Sequence, residues 1–144
     1  DYSVLGDAVN LAARLEGQTK GYGVKTIVGE DTAKELYDDY AVLELDKIAV
    51  KGKTEGVTIY TVLGDFNWWN ENSHLAMDEQ QHEKMIELYR RQQFDHAINL
   101  CEQLKSAFLG EMSDYYAIWI DRCEEMKSKN LPEDWDGTYV ATTK

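Results

Sequence analysis

The stretch from Tyr2 to Glu16 constrains this chain most, because it predicts a strand end, a sharp turn and a helix in quick succession. Tyr2 to Leu5 have the character of a strand end, and Gly6 interrupts that strand. Asp7 can cap the following helix by accepting backbone N–H bonds from its first turn. Most residues from Ala8 to Leu15 favour helical structure. We therefore expect a strand that turns directly into a helix.

Two polar residues on the predicted helix, Asn10 and Arg14, are four positions apart and therefore share one face. An amide and a guanidinium together offer several N–H donors, which suit phosphate oxygens or an oxyanion. The alternative is a solvated polar face on which Arg14 pairs with a nearby acid. Spacing alone favours that alternative.

Further along, the pattern alternates between strands and helices. It predicts a strand at 24–28, a short helix that starts at Glu30, a long strand at 40–50 and another strand at 57–63. The long strand is expected to kink near Asp46. This order predicts a mixed α+β half-domain in which the last two strands pair antiparallel.

The predicted turn at 51–56 joins these two strands and is basic. Its start, Val50-Lys51-Gly52-Lys53, places two ammonium groups around a glycine that allows a tight turn. Such a turn can meet a phosphate group. The alternative is a solvated hairpin tip without a ligand, which is the more common role of a basic turn that contains glycine.

The string GDAVNLAARLEG, from Gly6 to Gly17, closely resembles the signature of class III nucleotide cyclases, and the basic turn resembles a second motif of that family. The resemblance implies that Asn10 orients the ribose and that Arg14 stabilises charge on the phosphates in the transition state. It also implies that Lys51 contacts the terminal phosphates, with Lys53 as a neighbour that has no assigned role.

Ser3 lies seven residues before Asn10, at a position that helps to read the base in this family. The resemblance implies a bacterial type of cyclase in which the Ser3 hydroxyl helps to select adenine. A local hydrogen bond at the end of a strand is an equally good explanation of this serine. We interpret Asp7 as the helix cap and not as a metal ligand.

The resemblance covers residues 1–64, which correspond to the second half of a ferredoxin-like catalytic domain with a mixed or antiparallel sheet. The family's first half carries two metal-binding aspartates and a base-reading lysine, and this sequence lacks it. The implied cofactors are two Mg or Mn ions bound by those upstream aspartates, so no metal ligand is assigned here. Because the sequence starts inside a motif and without Met, we expect a fragment of a longer protein. Because the metal-binding half is absent, we expect this fragment to be inactive alone. Active sites of this family form between two catalytic domains, so the resemblance implies a homodimer. It also implies that ATP is the substrate.

The remainder of the sequence predicts a polar linker at 65–74, a helical extension at 75–130 and a tail at 131–144. The extension resembles a single tetratricopeptide-like helical hairpin, with Gln92 and Gln93 in the turn, and could contact a protein partner. A third helix, capped by Ser113 or Asp114, carries the stripe Tyr115, Trp119, Arg122, Cys123 and Met126. Trp135 is expected to dock the tail on the helices.

Composition excludes some functions. The net charge of −12 disfavours a nucleic-acid partner, because an acidic surface repels phosphates. No apolar run is long enough to span a membrane. We expect a cytoplasmic location and leave open whether a membrane anchor lies elsewhere in the parent protein. Cys101 and Cys123 are expected to be free thiols, and the three histidines receive no role.

The predicted function is therefore part of an adenylate cyclase that converts ATP to 3′,5′-cyclic AMP and pyrophosphate in intracellular signalling. A guanylate cyclase is one alternative, which Ser3 disfavours only weakly. The other alternative is a non-catalytic regulatory or adaptor module that contains a degenerate cyclase half. Retention of the motif residues Asn10, Arg14 and Lys51 argues against degeneracy.

Overall fold

A computed structural model describes residues 21–49, 56–65 and 67–140 of the chain. Its described part is a mixed α+β structure with one mixed sheet of four strands, in the order β1-β3-β2-β4. The strands are β1 (Val28–Gly29), β2 (Tyr40–Ala49), β3 (Val57–Asp65) and β4 (Tyr139–Val140). β3 pairs antiparallel with both β1 and β2, whereas β4 pairs parallel with β2.

The antiparallel pair of β2 and β3 is the centre of the sheet, as the sequence predicts. Its register places Val42 opposite Val62 and Ile48 opposite Val57. The register shifts between Glu44 and Asp46, which agrees with the kink expected there, because a bulge bends the strand locally.

The strand predicted at 24–28 is shorter than expected: β1 starts at Val28 and ends one residue later than predicted, at Gly29. From this segment only Val28 and Gly29 pair with β3. Before this point a side chain replaces the backbone ladder: the Thr26 hydroxyl accepts a hydrogen bond from the Val62 N–H at 3.1 Å. Hydrophobic alternation alone does not reveal that a side-chain hydrogen bond takes the place of a backbone one.

Helix α1 (Glu30–Leu36) follows β1 directly, so the predicted short helix is confirmed. Glu30 and Asp31 lie in its first turn, where the helix dipole favours negative charge. Ala33 of this helix is buried, whereas Tyr37, which follows its last residue, is 52% exposed.

The segment predicted as a polar linker is partly helical. It contains helix α2 (Trp68–Glu71), and a 3₁₀ turn at Ser73–Leu75 follows. Trp68 and Trp69 pack against the hydrophobic core, with their ring centroids 4.7 Å apart. The sequence did not predict this short helix, because the Asn, Glu and Ser residues around it are typical of a polar linker. The predicted domain boundaries themselves stay a prediction.

The described part of the chain has three longer helices: α3 (Ala76–Arg90), α4 (Phe94–Leu104) and α5 (Ser113–Lys127), with a 3₁₀ turn at Phe108–Gly110. Gln92 has a φ of 63° in the turn between α3 and α4, which confirms the predicted position of that turn. The predicted cap of α5 was wrong: Ser113 is its first helical residue, Met112 precedes it, and no side chain caps the helix.

Sheet and helices share one hydrophobic core. Leu43, Leu45 and Ile59 from the sheet belong to the same buried cluster as Met85 and Trp119 from the helices. The helices therefore pack on the sheet. No helix in the described ranges has the length and apolar character that a membrane crossing requires.

The C-terminal tail returns to this core. The Trp135 ring lies 5.2 Å from that of Tyr89 and 6.2 Å from that of Phe94, measured between ring centroids. The predicted docking of Trp135 on the helices is confirmed. Beyond it, Tyr139 and Val140 pair with β2.

Candidate functional site

The four residues assigned to the substrate, Ser3, Asn10, Arg14 and Lys51, lie outside the described residues, so their roles stay predictions. The structure describes the chain segments next to them. Gly21 and Tyr22 are helical and follow Arg14 in sequence. β2 ends at Ala49, two residues before Lys51, and its neighbour β3 starts at Val57.

A buried ion pair joins β2 to α5. Arg122 Nη1 donates a hydrogen bond to Asp46 Oδ2 at 2.8 Å, and the Tyr22 hydroxyl donates to the same oxygen at 2.7 Å. The Asp46 side chain is 1% exposed and that of Arg122 is 9% exposed. The guanidinium also lies 3.4 Å from the Tyr89 hydroxyl and 3.6 Å from the ring centroid of Tyr139. We call these five residues the Arg122 cluster.

Electrostatics in the Arg122 cluster follow from burial and pairing. Burial raises the pKa of Asp46, and Arg122 together with the Tyr22 hydrogen bond opposes that rise. Burial by itself would lower the pKa of Arg122, but the Asp46 carboxylate raises it above its ordinary value. Burial raises the pKa of Tyr22 and of Tyr89, so both hydroxyls keep their protons at neutral pH. At the centre of the cluster, Arg122 and Asp46 form a buried ion pair in direct contact.

His82 forms a second buried polar contact between the helices and the sheet. Its Nε2 lies 2.6 Å from the Glu44 carbonyl oxygen, and its Nδ1 lies 2.8 Å from the Tyr116 hydroxyl. A carbonyl only accepts, so Nε2 carries the proton and Nδ1 accepts from Tyr116. Burial lowers the pKa of His82 to about 4, so this histidine is neutral at physiological pH.

The contribution of His82 to stability should depend on pH. Its pKa falls from 6.5 to about 4 on folding, so the unfolded state binds the proton more readily. The stabilisation is fully present above about pH 6.5 and decreases as the pH falls toward about pH 4. We expect a loss of about 2 kcal/mol in the free energy of unfolding between about pH 7 and about pH 5. His82→Gln, which keeps one donor and one acceptor, should remove this part of the pH dependence in urea unfolding.

The control for this measurement is His96→Gln, because His96 is an exposed histidine. This variant should retain the pH dependence of the unsubstituted protein. If the His82→Gln variant loses stability with falling pH as steeply as the control does, His82 is not the titrating group.

A groove of about 390 Å³ lies between β2 and α3. Its charged lining consists of four glutamates and two arginines: Glu44, Glu79, Glu83, Glu87, Arg90 and Arg91. Arg90 pairs with Glu44. Because the lining carries excess negative charge, it disfavours the polyphosphate of a nucleotide.

The described residues do not supply a metal site. In the ranges that the structure describes, no group of three His, Cys, Asp or Glu side chains could hold a metal ion. The two Mg or Mn ions that the family resemblance implies therefore find no ligand set in these ranges. Both cysteines are free and buried, as expected for Cys101 and Cys123, and burial raises the pKa of Cys123 to about 12.

Three known proteins that resemble part of this chain are all named adenylate cyclase. The chain is 42% identical over 65 residues to an adenylate cyclase of Anabaena cylindrica, which covers 43% of this chain and 13% of that protein. It is 38% identical over 64 residues to the terminal-differentiation-specific adenylate cyclase of Dictyostelium discoideum, covering 42% of this chain and 3% of that protein. Over about 65 residues, the chain is related to adenylate cyclases.

A third relative, adenylate cyclase 1 of Rhizobium meliloti (strain 1021), is 33% identical over 63 residues, covering 44% of this chain and 10% of that protein. The chain thus spans between 3% and 13% of the length of these relatives. No family model and no solved structure matches it. The matched stretches are about as long as the predicted cyclase half at residues 1–64.

Sequence reasoning missed the Arg122 cluster, although one signal for it was present. Arg122 lies on the apolar stripe of α5 between Trp119 and Cys123, both of which are buried. A charged residue on such a stripe needs a buried partner. That partner, Asp46, is 76 residues away in sequence, so the periodicity of one helix could not identify it.

Proposed function

We propose that this chain supplies the second half of the catalytic domain of a class III adenylate cyclase of bacterial type, with a tetratricopeptide-like helical extension. The enzyme would convert ATP to 3′,5′-cyclic AMP and pyrophosphate in intracellular signalling. The match of about 65 residues to three proteins named adenylate cyclase carries this proposal. The string from Gly6 to Gly17 supports it, and so does the antiparallel pair of β2 and β3, which flank the predicted basic turn in sequence.

In the proposed reaction the ribose 3′-oxygen attacks the α-phosphorus of ATP, and the proton of that hydroxyl passes to solvent water. A new bond forms between that oxygen and the phosphorus, and the bond from the α-phosphorus to the bridging oxygen breaks, which releases pyrophosphate. Negative charge shifts over the phosphate oxygens during this exchange. The chain's own contribution is to place fixed donors and cations against that charge.

Each proposed site residue has one task. Arg14 stabilises the charge that develops on the phosphates, and Asn10 orients the ribose. Lys51 holds the terminal phosphates as a point charge. Ser3 hydrogen-bonds the adenine base. The site is completed across a homodimer interface, and the two metal ions would be held by residues outside this sequence.

The test is the formation of cyclic nucleotides from Mn-ATP and Mn-GTP by the full-length protein, measured beside the 144-residue chain. We expect the full-length protein to form cyclic AMP and the 144-residue chain to form none, because its sequence lacks the implied metal ligands. Cyclic GMP as the main product would identify a guanylate cyclase instead. A full-length protein that forms neither product would contradict the proposal and favour the adaptor function.

A further inference from the structure

We propose that Arg122 is a positioning residue of the cyclase reaction. Through its contacts with Tyr22 and Asp46, the helical extension holds the two chain segments that lead to Arg14 and Lys51. The inference rests on the proposed function, which assigns Arg14 and Lys51 to the phosphates of ATP. It makes α5 part of the catalytic architecture rather than an appendage for a protein partner.

The geometry of a shared acceptor supports this role. Asp46 Oδ2 accepts from both Arg122 Nη1, at 2.8 Å, and the Tyr22 hydroxyl, at 2.7 Å. Arg122 Nη2 lies 3.4 Å from the same hydroxyl, which closes a triangle of three side chains. A displacement of α5 would therefore pull on Tyr22 and on β2 together.

The guanidinium is held from its other sides as well. The ring of Tyr139, from the strand β4, lies 3.6 Å from it, and the ring of Trp119 lies 5.6 Å from it. Both are cation–π contacts. Arg122 itself therefore has a fixed position, which a residue must have if it is to fix others.

The two residues held by Arg122 are close in sequence to the proposed substrate contacts. Tyr22 is eight residues after Arg14, and Asp46 is five residues before Lys51 on the strand that ends at Ala49. One side chain of the helical extension thus contacts two residues that lie eight and five positions in sequence from the proposed phosphate-binding cations. The distance between those cations determines how well they match a triphosphate.

A purely structural ion pair is the alternative explanation. Buried ion pairs often add little net stability, because desolvation offsets their attraction. A positioning role is therefore separable from stability. It predicts a local effect on two segments and on kcat, whereas a structural role predicts a uniform loss of stability.

The test uses Arg122→Lys in the full-length protein. Lysine keeps the positive charge beside Asp46 but lacks the planar fork that reaches Tyr22 and Tyr89 together. We expect kcat for cyclic AMP formation to fall about tenfold, with a change of less than about threefold in the KM for ATP, because Arg14 is proposed to act in the transition state. The control is Lys127→Gln on the same helix, which removes an exposed ion pair with Asp95 and should leave both constants unchanged.

Amide hydrogen exchange of the same two variants provides a readout that needs no activity. In Arg122→Lys, peptides that contain Tyr22 or Asp46 should exchange about tenfold faster, while α4 should exchange at its original rate. Unchanged exchange at Tyr22 and Asp46, equal acceleration along the whole chain, or a loss confined to KM would each overturn the proposal. An unsubstituted protein that forms no cyclic nucleotide would instead contradict the proposed function, and exchange would still decide whether Arg122 holds these two segments.

Discussion

Arg14→Ala is expected to lower kcat for cyclic AMP formation by about a thousandfold, the scale of removing one charge-stabilising group from a phosphoryl-transfer site. The guanidinium offers a planar set of donors that matches phosphate oxygens. Because the proposed role lies in the transition state, the KM for ATP should change much less than kcat. Steady-state kinetics of the full-length protein with Mn-ATP measure both constants.

Two further variants make this result specific to Arg14. Arg14→Lys retains the positive charge but not the planar set of N–H donors of the guanidinium. Its activity should therefore lie between those of the unsubstituted protein and Arg14→Ala. Lys25→Ala removes an exposed positive charge further along the chain and should leave kcat unchanged. If Arg14→Ala keeps more than about a tenth of the activity, Arg14 does not carry the role that the motif implies.

Breaking the ion pair of Asp46 and Arg122 should have the largest effect on stability. Asp46→Leu leaves a buried guanidinium without its carboxylate, which typically costs about 3–5 kcal/mol. The double variant Asp46→Leu/Arg122→Met replaces the pair with apolar groups and should recover most of that loss. Urea unfolding of the three proteins measures the differences directly.

An exposed ion pair serves as the matched control. Asp95 and Lys127 have side chains that are 69% and 50% exposed, and solvent screens their attraction. Asp95→Asn should therefore leave the urea midpoint almost unchanged. A double variant no more stable than Asp46→Leu would show that the hydrogen bonds of Tyr22, not the pairing of charges, dominate at this position.

The sequence predicted the elements with strong periodicity. The strands β2 and β3 were placed within two residues of their observed ends, and the turn at Gln92 and Gln93 was placed correctly between α3 and α4. The same reasoning extended β1 too far toward Val24, because a side-chain bond from Thr26 replaces the ladder there. It also missed α2, whose four residues are too short to show a helical period.

Prediction of the site has a different limit. The motif residues Asn10 and Arg14 were identified from a contiguous string, which needs no knowledge of the fold. The contacts of Arg122 join parts of the chain that are 76 and 100 residues apart. Local patterns record burial and periodicity, but they do not record which distant charge fills a buried position. Such pairs emerge only when the elements are assembled.

The parallel pairing of β4 with β2 has a practical consequence for anyone who wishes to transplant this module. Tyr139 and Val140 are far along the chain, yet they pair with Ile48 and Ala49, which shortly precede Lys51 in sequence. A fusion protein that ends at the last residue of β3 would lack β4, which pairs with one edge of β2, and would also lack Arg122. The unit to graft between proteins should therefore run through Val140, well past the last recognisable motif.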